Sequence, residues 1–342
     1  GGMTNSTAGI ATSGAHQTAY SGGLDDAFLV KFNSSGVRQW GTYYGGSAND
    51  ICWGLATVLN GSVYLCGVTQ STTGIATSGA HQTLGGGGND GFLVKFNSSG
   101  VRQWGTYYGG SGADYNRGLA ADSNENIFLV GQTESTNGIA TSGAHQTSHG
   151  GGAWNGYWDG FLVKFDSSGV RQWGTYYGGS GIEYFFEAAA DLNGNVYAVG
   201  PTNATAGIAT SGAHQTTYGG GTYDSFLVKF NSSGVRQWGT YYGGSGEDTW
   251  GMVTTHLNGS VYLGGMTNST AGIATSGAHQ TIYGGGTYDA FLVKFNSSGV
   301  RQWGTYYGGS AVEYAGHYST DASGNVYLPG FTYGSTTGIA TS

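Results

Sequence analysis

Hydrophobic and polar positions alternate with a period of two at the start of the first clear block. Phe28, Val30 and Phe32 fall on one side and Leu29 and Lys31 on the other, which is the pattern of an extended strand. Asn33-Ser34-Ser35-Gly36 supplies turn chemistry, and Val37 to Tyr44 is predicted as the returning strand of a hairpin. A Gly-Gly-Ser connection leads into a third predicted strand, Ile51 to Val58. Leu59-Asn60-Gly61 then turns the chain into a fourth, Ser62 to Val68. About 22 residues rich in Gly, Ser and Thr separate this strand from the next copy of the first, at Phe92.

This unit is written five times. The decapeptide GIATSGAHQT begins at Gly9, Gly74, Gly138, Gly207 and Gly272. FLVKFNSSGVRQWGTYYGGS begins at Phe28, Phe92, Phe161, Phe226 and Phe291, with Asp166 replacing Asn in the third copy. A looser block with an aromatic strand follows at Gly61, Glu125, Gly194, Gly259 and Gly324. Extra length in the third unit is confined to a loop around His149 to Trp158. Four antiparallel strands per ~65 residues predict an all-β protein, a β-propeller of five four-stranded blades.

The expected blades cover residues 46–110, 111–179, 180–244, 245–309, and 310–331 combined with 14–45, as one propeller domain over 1–342. Closure is expected where C-terminal inner strands pair with the N-terminal outer strands, hiding sheet edges. However, GFTYGSTTGIATS at Gly330 duplicates the phase of GMTNSTAGIATS at Gly2, so both cannot fill one slot in a closed ring. One end detaches, or the chain is a segment of a longer repeat protein.

Composition narrows the picture. Glycine occupies 69 of 342 positions, charged residues only 9%, and aromatics 14%. Disorder is disfavoured by the aromatic content and helix by the scarcity of good helix formers. The 19 acids and 11 bases give a net charge of −8, with no basic run to neutralise phosphates, so no nucleic-acid partner is expected. No apolar stretch reaches the ~18 residues of a membrane span. There is no initiator methionine and no signal peptide, as in a mature or excised segment.

The runs D-x-x-G-N-V-Y-x-x-G, T-S-G-A-H-Q-T, D-A-F-L-V-K-F-N-x-S-G and T-Y-Y-G-G-S resemble the bacterial SBBP repeat. That resemblance covers nearly the whole chain and implies a β-propeller in a secreted or cell-surface bacterial protein. It implies no catalytic activity. Two departures stand out: Ile-Ala and a later His replace the family's Phe-Pro and aromatic, and five units stand where the name anticipates seven.

Because most of each unit is copied nearly verbatim, its divergent positions are the functional clue. Each third strand opens with an acid: Asp50, Asp114, Glu183, Asp248 and Glu313. These would ring a channel mouth as a cation or polar-ligand site, or else accept backbone N–H bonds structurally. Just beyond lie Trp53, Arg117, Phe186, Glu187, Trp250 and His317, a set able to bind sugars or peptides by stacking and directed hydrogen bonds. The competing reading is that they plug the propeller centre.

The five repeated histidines, from His16 to His279, are expected to be structural, since blades would hold them apart and no metal site is formed. Asp122 to Asn126 and Asp191 to Asn195 are similar to a calcium loop but lack its second carboxylate and distal Glu, so turn formation is the stronger reading. Cys52 and Cys66 flank one hairpin, where a disulfide and two free thiols are both open. With no nucleophile–base pair and no cofactor motif, the chain is expected to be a non-catalytic adhesion module for an extracellular glycan or surface protein. The alternative is a structural unit, a spacer or filament subunit whose partners are further copies of the same repeat.

Overall fold

The computed structural model describes residues 1–151, 158–334 and 339. The insertion expected at His149 to Trp158 falls largely on residues 152–157, outside the described residues. Every regular element among the described residues is a strand. Four sheets are four-stranded and follow chain order. The first of them runs β4 (Asp50–Thr57), β5 (Val63–Thr69), β6 (Asp90–Phe96) and β7 (Arg102–Tyr108), all antiparallel. The same order recurs in β8 (Asp114–Ala121) to β11 (Arg171–Tyr177), β12 (Glu187–Ala190) to β15 (Arg236–Tyr242), and β16 (Asp248–Thr255) to β19 (Arg301–Tyr307). The strand limits read from the sequence for the first repeat agree with the observed ones to within two residues, and β12 is shorter than its counterparts.

The chain divides into two compact units, Gly1–His149 with Phe161–Tyr176, and Gly150–Gly160 with Tyr177–Ser342. Within each, neighbouring sheets share a dry core. In the first unit, Tyr64, Leu93, Tyr108, Leu129, Phe161 and Val163 come from two successive sheets and are fully buried. Tyr197, Leu227, Tyr242, Leu263, Phe291 and Val293 do the same in the second.

The long loop between β5 and β6 explains why the edge strand with the Tyr-Tyr pair does not invite aggregation. Thr77 N donates to Gly105 O at 2.8 Å and Tyr107 N to Gln82 O at 3.1 Å, so the loop pairs along the outer edge of β7. The phenol of Tyr44 then donates to Ile75 O at 2.7 Å, and that of Tyr108 to Ile139 O at 2.9 Å, stitching each sheet to the loop of the next. Lys31 and Lys95 donate to Ser98 O and Ser167 O at 2.9 and 3.0 Å.

The chain ends depart from expectation. Both sides of β2 (Asp26–Phe32) are occupied, by β1 (Gly2–Thr4) and β3 (Arg38–Tyr44), so the expected pairing of C-terminal inner strands with this N-terminal pair is not made. Gly2-Met3-Thr4 takes the slot because it repeats Gly265-Met266-Thr267 and adopts the same register. Gly2 lies opposite Phe28, as Gly265 lies opposite Phe291 in β17 (Val261–Thr267) and β18 (Asp289–Phe295). The duplicated C-terminal segment forms β23 (Gly330–Tyr333) and pairs with β20 (Val312–Ala315). β21 (Ser319–Thr320) pairs with β22 (Val326–Tyr327).

Candidate functional site

The divergent residues of three repeats are set on a β-bulge. Cys52 lies opposite Gly67 and Gly54 opposite Cys66, which leaves Trp53 as an extra residue in the ladder. Arg117 is extra in the same way between Asn116 and Gly118, and Trp250-Gly251 lie in the register shift between Thr249 and Met252. In the third unit the ladder is interrupted from Glu183, bridged to Thr202, until Glu187 meets Val199. A bulge turns a side chain away from the alternation of the strand, as bulges do beside binding sites.

The bulge also accounts for the glycine in the facing strand. A methyl group at Gly67 would overlap the carbonyl oxygen of Ile51; at Gly131 it would overlap that of Tyr115, and at Gly200 that of Tyr184. Gly265 and Gly330 meet the carbonyls of Thr249 and Tyr314 in the same way.

In the first unit, Trp53 stacks on Tyr115 with ring centroids 5.8 Å apart and planes 28° apart. The Arg117 guanidinium lies 4.3 Å from the Trp53 centroid and 5.7 Å from that of Tyr115. Its Nε donates to Gln132 Oε1 at 3.2 Å. The second unit holds a different set. Phe186 stacks on Trp250 at 5.9 Å and 28°, and Trp250 is 50% exposed with a φ of 56°. Glu187 bridges two neighbours: Oε2 accepts from Val253 N and Oε1 from His317 Nδ1, each at 2.9 Å. That hydrogen bond raises the His317 pKa above its ordinary value. Glu187, expected to face a ligand, is thus held as a strut, while His317 is 75% exposed.

Tyr115, Tyr184 and Gln132 complete these clusters and escaped the sequence reading. The signal for the two tyrosines was the position directly after the acid, where aromatics recur at 115, 184 and 314, and Gln132 had none.

The acids do not form a ligand-facing ring, and this corrects the cation-site expectation. Asp50, Asp114, Glu183 and Asp248 have no exposed surface, and Glu313 is 4% exposed. Each folds back on the glycine turn before it. Asp114 accepts from Gly110 N and Ser135 Oγ, both at 2.8 Å, and also from Thr133. Asp50 accepts from Gly46 N and Ser71 Oγ at 2.8 Å, and from Thr69. Asp248 accepts from Gly244 N and Ser269 Oγ, again at 2.8 Å. Glu183 and Glu313 accept from Thr202 at 2.6 Å and Thr332 at 2.7 Å, and from the N–H groups of Gly179 and Gly309. Burial outweighs these bonds and pushes Asp114 and Asp248 up to about 6 and Glu183 to about 7.

Asp122 and Asp191 are consumed in Asx turns, each carboxylate accepting from two backbone N–H groups and one Asn side chain. Among the described residues no three His, Cys, Asp or Glu groups are placed to hold a metal ion. Cys52 and Cys66 are buried free thiols and are not opposite one another, since the bulge sets Cys52 against Gly67 and Cys66 against Gly54. Burial pushes the Cys52 thiol up to about 12 and raises Cys66 well above its ordinary value. Among the described residues no helix is long and apolar enough to cross a membrane.

No curated protein matches the chain. Among solved structures it is similar to a protein of unknown function from Bacteroides caccae, at 11% identity and a TM-score of 0.38 over 80% of this chain and 73% of that one. A Dyadobacter fermentans protein of unknown function gives 12% identity and a TM-score of 0.43 over 93% and 85%. An apocarotenoid oxygenase of Synechocystis gives 11% and 0.43 over 92% and 63%. Residues 103–139 match the family SBBP, described as a beta-propeller repeat. They span the end of one four-stranded sheet, the bulged hairpin of the next and the start of the long loop, so the match to an SBBP-type β-propeller repeat rests on this segment.

Proposed function

We propose that the five repeats are blades of one propeller that acts as a secreted or cell-surface, non-catalytic binding module for an extracellular glycan. The observation that carries this reading is the bulge. Three repeats set an extra residue opposite a facing glycine, which lifts a side chain out of the ladder, and those side chains differ between repeats. Trp53 with Tyr115 and Arg117 offers an aromatic face beside a cation. Trp250 with Phe186 offers a half-exposed aromatic platform. Sugars present apolar C–H faces and hydroxyls, the two chemistries these groups meet.

A glycan array probed with the full chain tests the proposal. Capture should fall at least tenfold in Trp53→Ala and Trp250→Ala, with unfolding midpoints shifted little. Capture that survives both changes removes the bulge residues as the site.

A structural role is the second reading, favoured by how much of the copied sequence serves to join sheets. The Tyr44, Lys31 and Trp40 side chains all donate to carbonyls of the next repeat. On that reading the purified chain forms polymers and captures no ligand.

A further inference from the structure

Clefts of one design lie away from the bulges, each between a sheet and the next along the chain. In the first unit one of about 590 Å³ is bounded by the Thr77–His81 segment of the long loop, by Gln103 and Trp104, and by the hairpin turn ending at Arg171. In the second unit the equivalent cleft, about 540 Å³, uses His214, Gln237, Trp238 and Arg301. A smaller one of about 370 Å³ is lined by Gln39 and Trp40 and by Lys31. These volumes fall in the range of small-molecule sites, ~300–1,000 Å³.

The walls are held rigidly by bonds that repeat. Trp104 and Trp238 donate through Nε1 to Ser167 O and Ser297 O at 3.1 and 3.2 Å, and Gly169 and Gly299 of those turns leave room only for the indole rings. Gln103 and Gln237 each donate to a valine carbonyl at 3.0 Å, which fixes their exposed amides. Arg171 and Arg301 are anchored through Nη1 to Gly138 O and Gly272 O at 3.0 and 3.2 Å. His81 packs on Tyr108 and Phe165 and His214 on Tyr242 and Phe295, with centroids 5.7 to 6.0 Å apart. Loss of hydration against these rings, helped by the neighbouring arginine, lowers both imidazoles to about 4, so at neutral pH each offers one donor and one acceptor.

A polar cleft of this kind suits a ligand dense in hydroxyl groups. An apolar ligand would strand the amide, imidazole and guanidinium without partners. The arginine opposes a metal ion, and a single guanidinium in each larger cleft is a weak match for a polyanion. We propose that these clefts are saccharide-binding sites, each taking one hexopyranose unit, so that the chain binds glycans multivalently through its repeated residues. The proposal shares its ligand class with the glycan reading above but not its site. The two larger clefts, lined by equivalent residues, bind the same unit twice over, which raises avidity without any new contact.

The nine tryptophans give the test, because their indole N–H signals separate the sites. The full chain, labelled with ¹⁵N, is titrated with a panel of methyl hexopyranosides and N-acetylhexosaminides, with signals assigned by single Trp→Phe changes. The signals of Trp104 and Trp238 should move together, and calorimetry should count two or more equivalent sites. His81→Ala with Gln103→Ala should weaken the Trp104 cleft at least tenfold and remove one site, leaving the Trp238 response intact. His214→Ala with Gln237→Ala should do the converse. Movement confined to Trp53 and Trp250 would overturn the clefts and support the bulge site instead. Movement at Trp104 and Trp238, with capture unaffected by Trp250→Ala, would keep the clefts and remove the bulge site. No movement with any member of the panel would overturn the cleft proposal.

Discussion

Asp248 shows how one side chain couples a turn to a strand. Its carboxylate has no exposed surface and accepts from Gly244 N and Ser269 Oγ, yet burial raises its pKa from an ordinary 3.8 to about 6. Between those values the folded state binds more protons than the unfolded one, so stability from this group rises as pH falls through that window. Wild type should therefore gain about 1–3 kcal/mol over Asp248→Asn between pH 7 and pH 4, read from urea midpoints. An unchanged difference between the two proteins would mean the carboxyl is hydrated. His317 runs the other way: its pKa is raised by Glu187, so its ion pair is complete below the ordinary value near 6.5 and is lost as pH climbs through the raised one. An NMR titration should show His317 losing its proton at lower pH in Glu187→Gln. The acids were visible in the sequence as a repeated phase, but their direction was not, because Thr69 and Ser71 lie 19 and 21 residues from Asp50.

At the level of the element, the bulge decides what each divergent strand presents. Strict alternation would have placed Trp53 and Arg117 on the face opposite their neighbours Cys52 and Asn116, with no reason for a facing glycine. The extra residue changes both. Gly67→Ala and Gly200→Ala should each cost about 2–4 kcal/mol, since a methyl at either meets a backbone carbonyl that cannot withdraw without breaking the ladder. Gly88→Ala, where a methyl would meet nothing within 4 Å, should change stability by less than about 0.5 kcal/mol. Equal effects at the two kinds of position would show the bulge to be pliable. Hairpins and turns were legible from Asn-Ser-Ser-Gly and Asn-Gly, because turn chemistry is local. The bulge was not, because it is a relation between two strands.

For the whole molecule, the chain start is a structural part. β1 supplies the third strand of the first sheet, and its G-M-T copies the end of a complete strand elsewhere. Removing residues 1–4 should expose the edge of β2, lower the melting temperature and increase self-association, measured by light scattering on a sizing column. A monomer of unchanged stability would show that β2 needs no partner on that side. The C-terminal copy of the same segment pairs with β20.

The sequence by itself determined the strand content, the strand order that recurs in the four four-stranded sheets, and the turns between the strands. All of these follow from side-chain period and from residues with narrow backbone preferences, which act over a few positions. It also located the divergent residues, since copying elsewhere made them stand out. Only the tertiary structure decided what those residues face. The acids turned inward because Thr and Ser hydroxyls some twenty residues on reach them, and Trp53, Arg117 and Trp250 left the ladder because a facing glycine admits an extra residue. The pairing of β1 with β2 was likewise settled in space: Gly2–Thr4 lies along β2, while the C-terminal copy of the segment lies along β20.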